Sequence, residues 1–354
     1  MKYWQIWMMV KMKKLLNVLY ISEPDVYLSR DGENIVISKD QKEIRRFPIH
    51  PLESIVCFNY MGVSPGLMRL CNEHNVGISI LTEYGKFQGR ISGPLKGNVL
   101  LRKQQYRYSD DETESAKIAG NMIIGKIANS RAVLRRSVRD HPEKVDKEMM
   151  DISCTIMENG IKKIRSTEDL DTLRGVEGTC SKVYFDSFDQ LILQQKDDFY
   201  LNDRNRRPPT DNMNALLSFL YTVLAHDVQS ALETVGLDPY VGFLHRDRPG
   251  RASLALDLME EMRPVMADRV ALSLVNRKQI NSKGFLRKES GGVLMTPETR
   301  KIVLKEWQEK KQEEIRHPFL DEKIPWGLVP YVQALLLARY IRGDLDEYPP
   351  FFYK

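Results

Sequence analysis

The pattern of apolar and polar positions changes once along the chain, near residue 101. Before that point, short apolar runs such as LLNVLYI, VYLS, IVIS, SIVCF and GISILT alternate with turn residues, including an Asp31-Gly32 step. Runs rich in Val and Ile between turns predict strands and hairpins. Segment 64–75 has helical spacing instead, with Pro65 at its first turn, and predicts a helix inside this β-rich region.

After residue 102 the apolar positions recur at helical spacing in long segments rich in Ala, Leu, Glu, Lys and Arg. Predicted helices include 116–134, 144–164, 176–193, 214–235, 254–276, 296–316 and 328–341. Turn-forming stretches such as RNRRPPTD and GLDPYVG separate them. The pattern therefore predicts an α+β chain, with an N-terminal β-rich domain over 12–101 and a larger all-α C-terminal domain over 102–354.

Residues 1–11, MKYWQIWMMVK, are apolar and aromatic but fit neither pattern. The stretch is short and has no small-residue cleavage site, which argues against a secretory signal. We interpret it as an extension outside the fold. An anchor at a membrane surface is the alternative.

Composition narrows the class of protein only modestly. Hydrophobic residues at 42% and charged residues at 29% are ordinary for a soluble globular protein, and no uninterrupted apolar run reaches the roughly 18 residues of a membrane span. The net charge of +5 permits a nucleic-acid partner without requiring one. The four cysteines, without a CxxC pair, indicate neither a zinc knuckle nor a secreted disulfide framework, and they favour a reducing cytoplasm.

Glu177 is the first candidate for metal chemistry. It lies in RGVEGTCSKVYF, beside the apolar face of a predicted helix, with Gly175 and Gly178 around it. Glycine weakens a helix, so two glycines here suggest that another element approaches closely. The simpler alternative is a partly exposed glutamate in an ion pair.

His245 and a cluster of carboxylates lie further along the chain, in the segment FLHRDRPGRASLALDLMEE at 243–261. Asp257, Glu260 and Glu261 share one arc of the predicted helix, opposite its apolar residues. The alternatives are a core histidine and a solvated acidic face. Taken together with Glu177, one imidazole and two carboxylates form a mixed nitrogen and oxygen set that suits Mg²⁺ or Mn²⁺ better than structural zinc. Such an ion activates water or a hydroxyl toward a phosphodiester.

Arginines concentrate around these acidic residues, as an enzyme acting on a polyanion requires. The candidates for DNA contacts are Arg204, Arg206, Arg207, Arg246, Arg248 and Arg251. Solvated basic loops are the alternative. A Walker loop, a GxSxG elbow and an HExxH helix are all missing from the sequence, which leaves nucleotide hydrolases, serine hydrolases and zinc proteases without support.

Several longer strings are distinctive: RGVEGTCSKVYF, RRPPTDNMNALLSFLYTVL, GLDPYVGFLH, GRASLALDLMEEMRP, GGVLMTPETRKIVLKEWQ and VPYVQALLLARYIRGDL. They resemble the Cas1 family of CRISPR-associated endonucleases and integrases, and look closest to its type I-C version. The resemblance extends over 12–354. It implies that Glu177, His245 and Glu260 are metal ligands and that Asp257 supports them or substitutes for one, with Glu261 a less favoured choice than Glu260.

The resemblance also implies a homodimer whose N-terminal domain dimerises and whose C-terminal domain over 102–354 is catalytic and binds the metal. It further implies a complex with the small Cas2 protein, and Mg²⁺ or Mn²⁺ as the ion. Its implied reaction inserts short duplex DNA into a CRISPR array, by attack of a DNA 3′-hydroxyl on a phosphodiester at the leader-repeat junction. The alternatives are a metal-dependent nuclease that acts on branched or damaged DNA without integration, and a DNA-binding scaffold without catalysis.

Overall fold

The structure, a computed structural model, describes residues 17–21, 25–58, 62–81, 87–91, 93, 99–205 and 208–353. The predicted extension 1–11 lies outside these residues. The chain divides into two compact units, the first formed by 1–96 with the short segments 311–313 and 325–328, and the second by the remainder. The predicted boundary after residue 101 falls within a helix, Val99–Asp110, that belongs to the second unit.

The first unit is built from two four-stranded sheets and one helix, as the β-rich pattern predicted, although its strands at Lys42–Pro48 and Gly62–Val63 were not among the predicted runs. Its elements are β1 (Asn17–Ile21), β2 (Tyr27–Asp31), β3 (Asn34–Lys39), β4 (Lys42–Pro48), β5 (Leu52–Phe58), β6 (Gly62–Val63), α1 (Pro65–His74), β7 (Gly77–Leu81) and β8 (Phe87–Ile91). One sheet has the order β1-β5-β7-β8, with β8 antiparallel to β7 and the other pairs parallel. The second has the order β4-β3-β2-β6, and only β6 runs parallel to its neighbour.

Helix α1 confirms the predicted helix at 64–75, including its ends. The Ser64 hydroxyl accepts a hydrogen bond from the Leu67 amide at 3.1 Å, which caps the N-terminus. Asn75 adopts the left-handed conformation that ends the helix. Leu67 and Leu70 are fully buried in an apolar core shared with the strands, and burial of this core stabilises the unit.

The second unit is mainly helical. Its helices are α2 (Val99–Asp110), α3 (Glu112–Asp140), α4 (Lys147–Arg165), α5 (Leu170–Phe188), α6 (Asn212–Val235), α7 (Ser253–Met259), α8 (Arg269–Asn276), α9 (Pro297–Gln312) and α10 (Val329–Ile341). These confirm six of the seven predicted segments, apart from shifts of their ends. Short 3₁₀ turns span Asp189–Leu191 and Ser282–Gly284, and a third, Trp326–Leu328, belongs to the first unit.

The prediction that the C-terminal domain is purely helical is wrong. A two-stranded antiparallel sheet pairs β9 (Phe285–Arg287) with β10 (Val293–Met295), and another joins β11 (Glu314–Arg316) to β12 (Lys323–Pro325). Gly291, with a φ of 80°, lies in the turn between β9 and β10. Three-residue strands are too short for their period to be distinguished in the sequence from the surrounding loops.

Helix α6 lies in the core of the second unit and packs against α7 and α10. Asp211 caps its start and Gly236, with a φ of 90°, ends it. By length and composition alone the helix could cross a membrane, but 78% of its apolar 18-residue stretch is buried inside the protein. Burial among other helices explains its apolar composition.

The predicted helix 254–276 is interrupted, and the interruption bears on the candidate site. Helix α7 ends at Met259, a π-helical stretch spans Arg263–Asp268, and α8 follows. Pro264 has no backbone N–H and cannot take part in the hydrogen bonding of a continuous α-helix. Glu260 therefore lies at the end of a short helix, and its side-chain direction does not follow from regular helical geometry.

Candidate metal centre

Glu177 projects from the middle of α5 toward Lys126 on α3. The side-chain carboxylate of Asp169 accepts a hydrogen bond from the Thr172 amide at 2.7 Å and so fixes the start of α5. Glu177 Oε1 accepts hydrogen bonds from Lys126 Nζ and, at 2.7 Å, from Ser181 Oγ. The Glu177 side chain is 26% exposed, which leaves part of the carboxylate accessible.

The glycines beside Glu177 do not have the role that the sequence suggested. A Cβ atom added at Gly175 or Gly178 would meet nothing within 4 Å. The expectation of a closely approaching element at these positions is wrong. The structure gives no packing reason for either glycine.

Glu260 is buried and held by two cations. Its Oε2 lies 2.9 Å from Lys126 Nζ, and its Oε1 accepts a hydrogen bond of 2.5 Å from Arg263. Lys126 thus contacts the carboxylates of both Glu177 and Glu260. Three helical elements that are far apart in sequence meet at this one ammonium group.

Charge decides the protonation of this cluster. Burial disfavours the ionised form of Glu260, but Arg263 and Lys126 outweigh burial and hold its pKa at about 2. For Lys126, burial opposes the charge, yet the carboxylates of Glu260 and Glu177 raise the pKa above its ordinary value. The carboxylate of Glu260 and the ammonium of Lys126 are therefore both charged at neutral pH.

His245 is oriented by Asp257, which is fully buried. Asp257 Oδ1 lies 2.5 Å from His245 Nδ1 and also accepts a hydrogen bond from the His245 amide at 3.1 Å. Asp257 Oδ2 accepts the amides of Phe243 and Leu244, at 2.7 and 2.9 Å. With Nδ1 engaged by the carboxylate, Nε2 is the ring nitrogen left to coordinate an ion.

Two further contacts place the His245 loop. A Cβ atom at Gly242 would lie 2.8 Å from Asp257 Oδ2 and from Ser253 Cβ, so only glycine allows the backbone this close. Arg174, one turn before Glu177 on α5, donates two hydrogen bonds to the Leu244 carbonyl, at 3.0 and 3.2 Å. Arg174 thus links the helix of Glu177 to the loop of His245.

The predicted shared arc of three carboxylates is not an exposed acidic face. Asp257, Glu260 and Glu261 are all buried, and each has different partners. Glu261 accepts hydrogen bonds from the Tyr348 hydroxyl and the Phe351 amide, both at 2.7 Å. This places Glu261 against the C-terminal segment, whereas Glu260 faces Lys126.

Glu177, His245 and Glu260 line one cavity of about 400 Å³. The remaining lining residues are Asp171, Arg174, Leu244, Arg246, Arg248, Arg251 and Arg263. Five arginines therefore surround three carboxylates and one imidazole. A cavity of this composition attracts a polyanion and at the same time offers oxygen and nitrogen donors to a cation.

The predicted DNA-binding arginines fall into three groups. Arg246, Arg248 and Arg251 line the cavity. Arg204 instead donates to Asn214 Oδ1 at 2.6 Å and lies over the Tyr221 ring, contacts that favour an intramolecular role. The other two, Arg206 and Arg207, lie outside the described residues. Contact with DNA stays a prediction for all six arginines.

Sequence reasoning missed Lys126 and Arg174 as members of the site. Arg174 lies three residues from Glu177 in sequence, and helical spacing could have indicated it. Lys126 is 51 residues from Glu177, inside a long helix with many charged positions. Only the packing of α3 against α5 shows its place.

The residues of the cavity fit a hard divalent ion. Glu260 Oε2 is buried and faces the Lys126 ammonium at 2.9 Å, and the Glu177 carboxylate contacts the same ammonium. Two carboxylates from different helical elements that already share one buried cation suit coordination to a divalent ion. Two carboxylates and an imidazole are donors that Mg²⁺ and Mn²⁺ accept.

Comparison with known proteins gives a consistent family assignment. The family described as CRISPR associated protein Cas1 matches residues 19–309. A Cas1 endonuclease of Rhodospirillum rubrum is 52% identical over 97% of this chain and 100% of its own length. Among solved structures, a casposase bound to integration product has a TM-score of 0.81 at 24% identity, covering 96% of this chain and 94% of its own.

A second solved structure, a Cas6-RT-Cas1–Cas2 complex, has a TM-score of 0.79 at 20% identity, covering 97% of this chain and 37% of the matched one. At this identity the two structures show a shared fold. The family match over most of the chain and the identity to the R. rubrum endonuclease show the family as well as the fold. The chain therefore belongs to the Cas1 family of CRISPR-associated endonucleases.

Proposed function

We propose that this chain is a metal-dependent DNA endonuclease and integrase that inserts short duplex DNA into a CRISPR array. The observation that carries the proposal is the single cavity in which Glu177, His245 and Glu260 lie among five arginines. The fold it shares with a casposase bound to integration product supports strand transfer as the reaction. We further propose that the chain is of the type I-C version of the family.

Glu177, Glu260 and His245 Nε2 would hold Mg²⁺ or Mn²⁺. When bound, such an ion activates a hydroxyl and stabilises the charge of the departing oxygen. Asp257 keeps the His245 ring in place through Nδ1, and the Leu244 carbonyl fixes the loop through Arg174. These residues orient the donors before DNA binds, which reduces reorganisation during the reaction.

The arginines of the cavity would hold the DNA backbone on either side of the reacting phosphate. Guanidinium groups bind phosphate oxygens in pairs, and Arg246 and Arg248 are exposed and available for this contact. A DNA 3′-hydroxyl then attacks the target phosphodiester in line and displaces the 3′-oxygen of the target-strand nucleotide joined to that phosphate. One phosphodiester bond forms as one breaks, and the reaction needs no covalent enzyme intermediate. We propose the leader-repeat junction as the target.

The proposed partners are duplex DNA, a second copy of this chain joined through the first unit, and Cas2. The Cas1–Cas2 complex among the structural neighbours supports the last of these. We place the protein in the cytoplasm, since its four cysteines are buried, free thiols.

An integration assay tests the proposal. The protein and Cas2 are incubated with Mn²⁺, a repeat-bearing plasmid, and short duplexes that end in a 3′-hydroxyl or a 3′-deoxy sugar. We expect joined product only from hydroxyl ends, and its loss by at least about a hundredfold in Glu177→Gln and Glu260→Gln. The matched control is Asp186→Asn, an exposed acidic residue on the same helix that pairs with Lys182.

Each result has a defined meaning. Cleavage of DNA without joined product would favour the alternative, a nuclease of branched or damaged DNA. Full cleavage and joining by both glutamine variants would overturn the metal-dependent proposal. DNA binding with neither reaction would favour a scaffold.

A further inference from the structure

Two histidines and a glutamate converge on the surface of the first unit, in a cluster that the proposed function does not use. Glu33 lies in the turn between β2 and β3, His50 follows β4, and His74 is the last residue of α1. Glu33 Oε2 lies 2.9 Å from His74 Nε2 and 3.9 Å from His50 Nε2. One ligand atom from each of the three residues lies within 4.8 Å of the other two.

Backbone contacts hold this cluster together. The Ile49 amide donates to the Glu33 carbonyl at 3.0 Å, which brings the residue before His50 next to Glu33. Asn75 adopts the left-handed conformation and ends α1 immediately after His74, which fixes the position of the His74 side chain at the end of the helix. The C-terminus of a helix carries partial negative charge, which favours a cation near His74.

We propose that Glu33, His50 and His74 form a binding site for a divalent transition ion of the Zn²⁺ class. In tetrahedral zinc sites, bond lengths near 2.0–2.2 Å place donor atoms about 3.4 Å apart. The distances of 2.9 and 3.9 Å lie on either side of this value. The adjustment is small, and the His50 side chain, 62% exposed, is free to make it.

The nature of the donors selects the class of ion. Two imidazoles and one carboxylate favour Zn²⁺ and related borderline ions over Mg²⁺ and Ca²⁺, which prefer oxygen ligands. Three protein ligands leave a fourth position for water. Bound there, the ion would join two turns and a helix end within the first unit, and it would stabilise that unit against unfolding.

Arg30 limits the affinity of the site. Its guanidinium donates to the Gly32 carbonyl at 2.8 Å and lies 3.3 Å from Glu33 Oε1. This ion pair orients the other carboxylate oxygen, Oε2, toward the two histidines. The same positive charge opposes a cation, so Arg30→Gln should bind Zn²⁺ more tightly than the unmodified protein.

The experiment measures Zn²⁺ bound per chain after equilibrium dialysis, with Co²⁺ absorption spectra as an independent readout of nitrogen coordination. The variants are His50→Gln, His74→Gln and, as a matched control, His141→Gln, an exposed histidine in the second unit. His245→Gln separates any ion held by the proposed metal centre. All are compared by thermal unfolding with Zn²⁺ and with a chelator.

We expect one equivalent of Zn²⁺ that is kept in His141→Gln and His245→Gln and weakened by more than about tenfold in His50→Gln and His74→Gln. The exposed His50 makes His50→Gln a variant that folds, which its unchanged melting temperature in chelator would establish. The proposal is wrong if the unmodified protein binds no such equivalent, or if His50→Gln and His74→Gln retain it.

Discussion

At the scale of single residues, the candidate centre depends on a few buried charges that are paired. Glu260 is 3% exposed and interacts with both Lys126 and Arg263. Asp257 is fully buried and accepts four hydrogen bonds, three of them from backbone amides. Removing one member of a buried charged network leaves its partner uncompensated, so substitutions here affect stability as well as activity.

Replacing Asp257 by Asn should weaken the metal centre through His245. The amide nitrogen of Asn cannot accept the hydrogen bonds that one of the carboxylate oxygens now accepts. We expect the Mn²⁺ concentration for half-maximal cleavage to rise about 10- to 100-fold and the free energy of unfolding to fall by about 1–3 kcal/mol. The control is Asp247→Asn, on the exposed side of the same loop. An unchanged Mn²⁺ dependence in Asp257→Asn would contradict the positioning role.

Replacing Lys126 by Met should destabilise the protein and make it depend more on a metal ion. Without the ammonium, Glu177 and Glu260 face each other with one cation fewer, a loss we expect to cost about 3 kcal/mol of unfolding free energy. Because Lys126 and a divalent ion share the same carboxylates, Mn²⁺ should raise the melting temperature of the variant more than that of the unmodified protein. Lys182→Met, which removes an exposed lysine of α5, is the control. An equal Mn²⁺ effect on all three proteins would exclude a shared site.

At the scale of elements, the position of Glu177 depends on how closely α5 packs against α4. A Cβ atom at Gly160 on α4 would lie 2.5 Å from the sulfur of Cys180 and 3.3 Å from Val176 Cγ1, both on α5. Real Cβ atoms do not approach a neighbour so closely, and only a glycine fits at this crossing. The glycines that flank Glu177 in sequence have no such contact, so the close approach comes from a different helix.

Gly160→Ala should therefore destabilise the protein although alanine is the better helix former. We expect the overpacking to outweigh the gain of about 1 kcal/mol in helix propensity and to lower the unfolding free energy by about 1–3 kcal/mol. Urea denaturation of Gly160→Ala, Cys180→Ala and the double variant measures the coupling. The double variant should recover part of the loss, because it removes the sulfur that the new methyl group meets. Additive effects would contradict a direct clash.

Elements were predicted best where their signals are local. The helix that begins at Pro65, the Asp31-Gly32 hairpin and the long amphipathic helices follow from spacing and turn chemistry alone. The segment 254–276 was predicted as one helix because its apolar spacing continues across Pro264. Its π-helical stretch and the short strands after it depend on tertiary contacts that spacing does not encode.

At the scale of the whole molecule, the C-terminal segment of the chain packs inside the second unit beside the candidate centre. Asn129 on α3 donates to the Phe351 carbonyl at 2.8 Å and accepts from the Tyr353 amide at 2.7 Å. Glu261, next to Glu260, accepts from Tyr348 and Phe351. The last residues of the chain thus fix the element from which Glu260 projects.

The same region contains a buried histidine that makes stability depend on pH. His317 Nδ1 accepts the Leu320 amide at 3.3 Å, so the ring donates from Nε2 to Gln333 Oε1 at 3.1 Å. Protonation would place an N–H against the Leu320 amide. Burial lowers the pKa of His317 from 6.5 to about 4, and the unfolded chain therefore binds a proton between these values that the folded protein does not.

The buried His317 imidazole therefore lowers the free energy of unfolding as pH falls from about 6.5 to about 4, by up to about 3 kcal/mol. We expect His317→Asn to lose less unfolding free energy than the unmodified protein over that window, whatever its stability at pH 7. Urea denaturation at pH 7, 6, 5 and 4 provides the comparison, with His141→Asn at an exposed position as the control. Parallel pH profiles for His317→Asn and the unmodified protein would contradict the role of His317.

The sequence by itself determined the change from a β-rich to a helical region, most of the long helices, and the residue types for a mixed nitrogen and oxygen site. These depend on interactions between residues near in sequence, or on chemistry that each side chain carries. Its resemblance to the Cas1 family singled out Glu177, His245 and Glu260 from similar residues.

Only the tertiary structure decided what surrounds those residues. It placed Lys126 between two carboxylates, directed Asp257 to His245, and turned Glu261 away toward the C-terminal segment. It also brought Glu33, His50 and His74 together from three elements. The physical reason is the same in each case, because these contacts join atoms whose separation depends on packing between elements rather than on spacing along the chain.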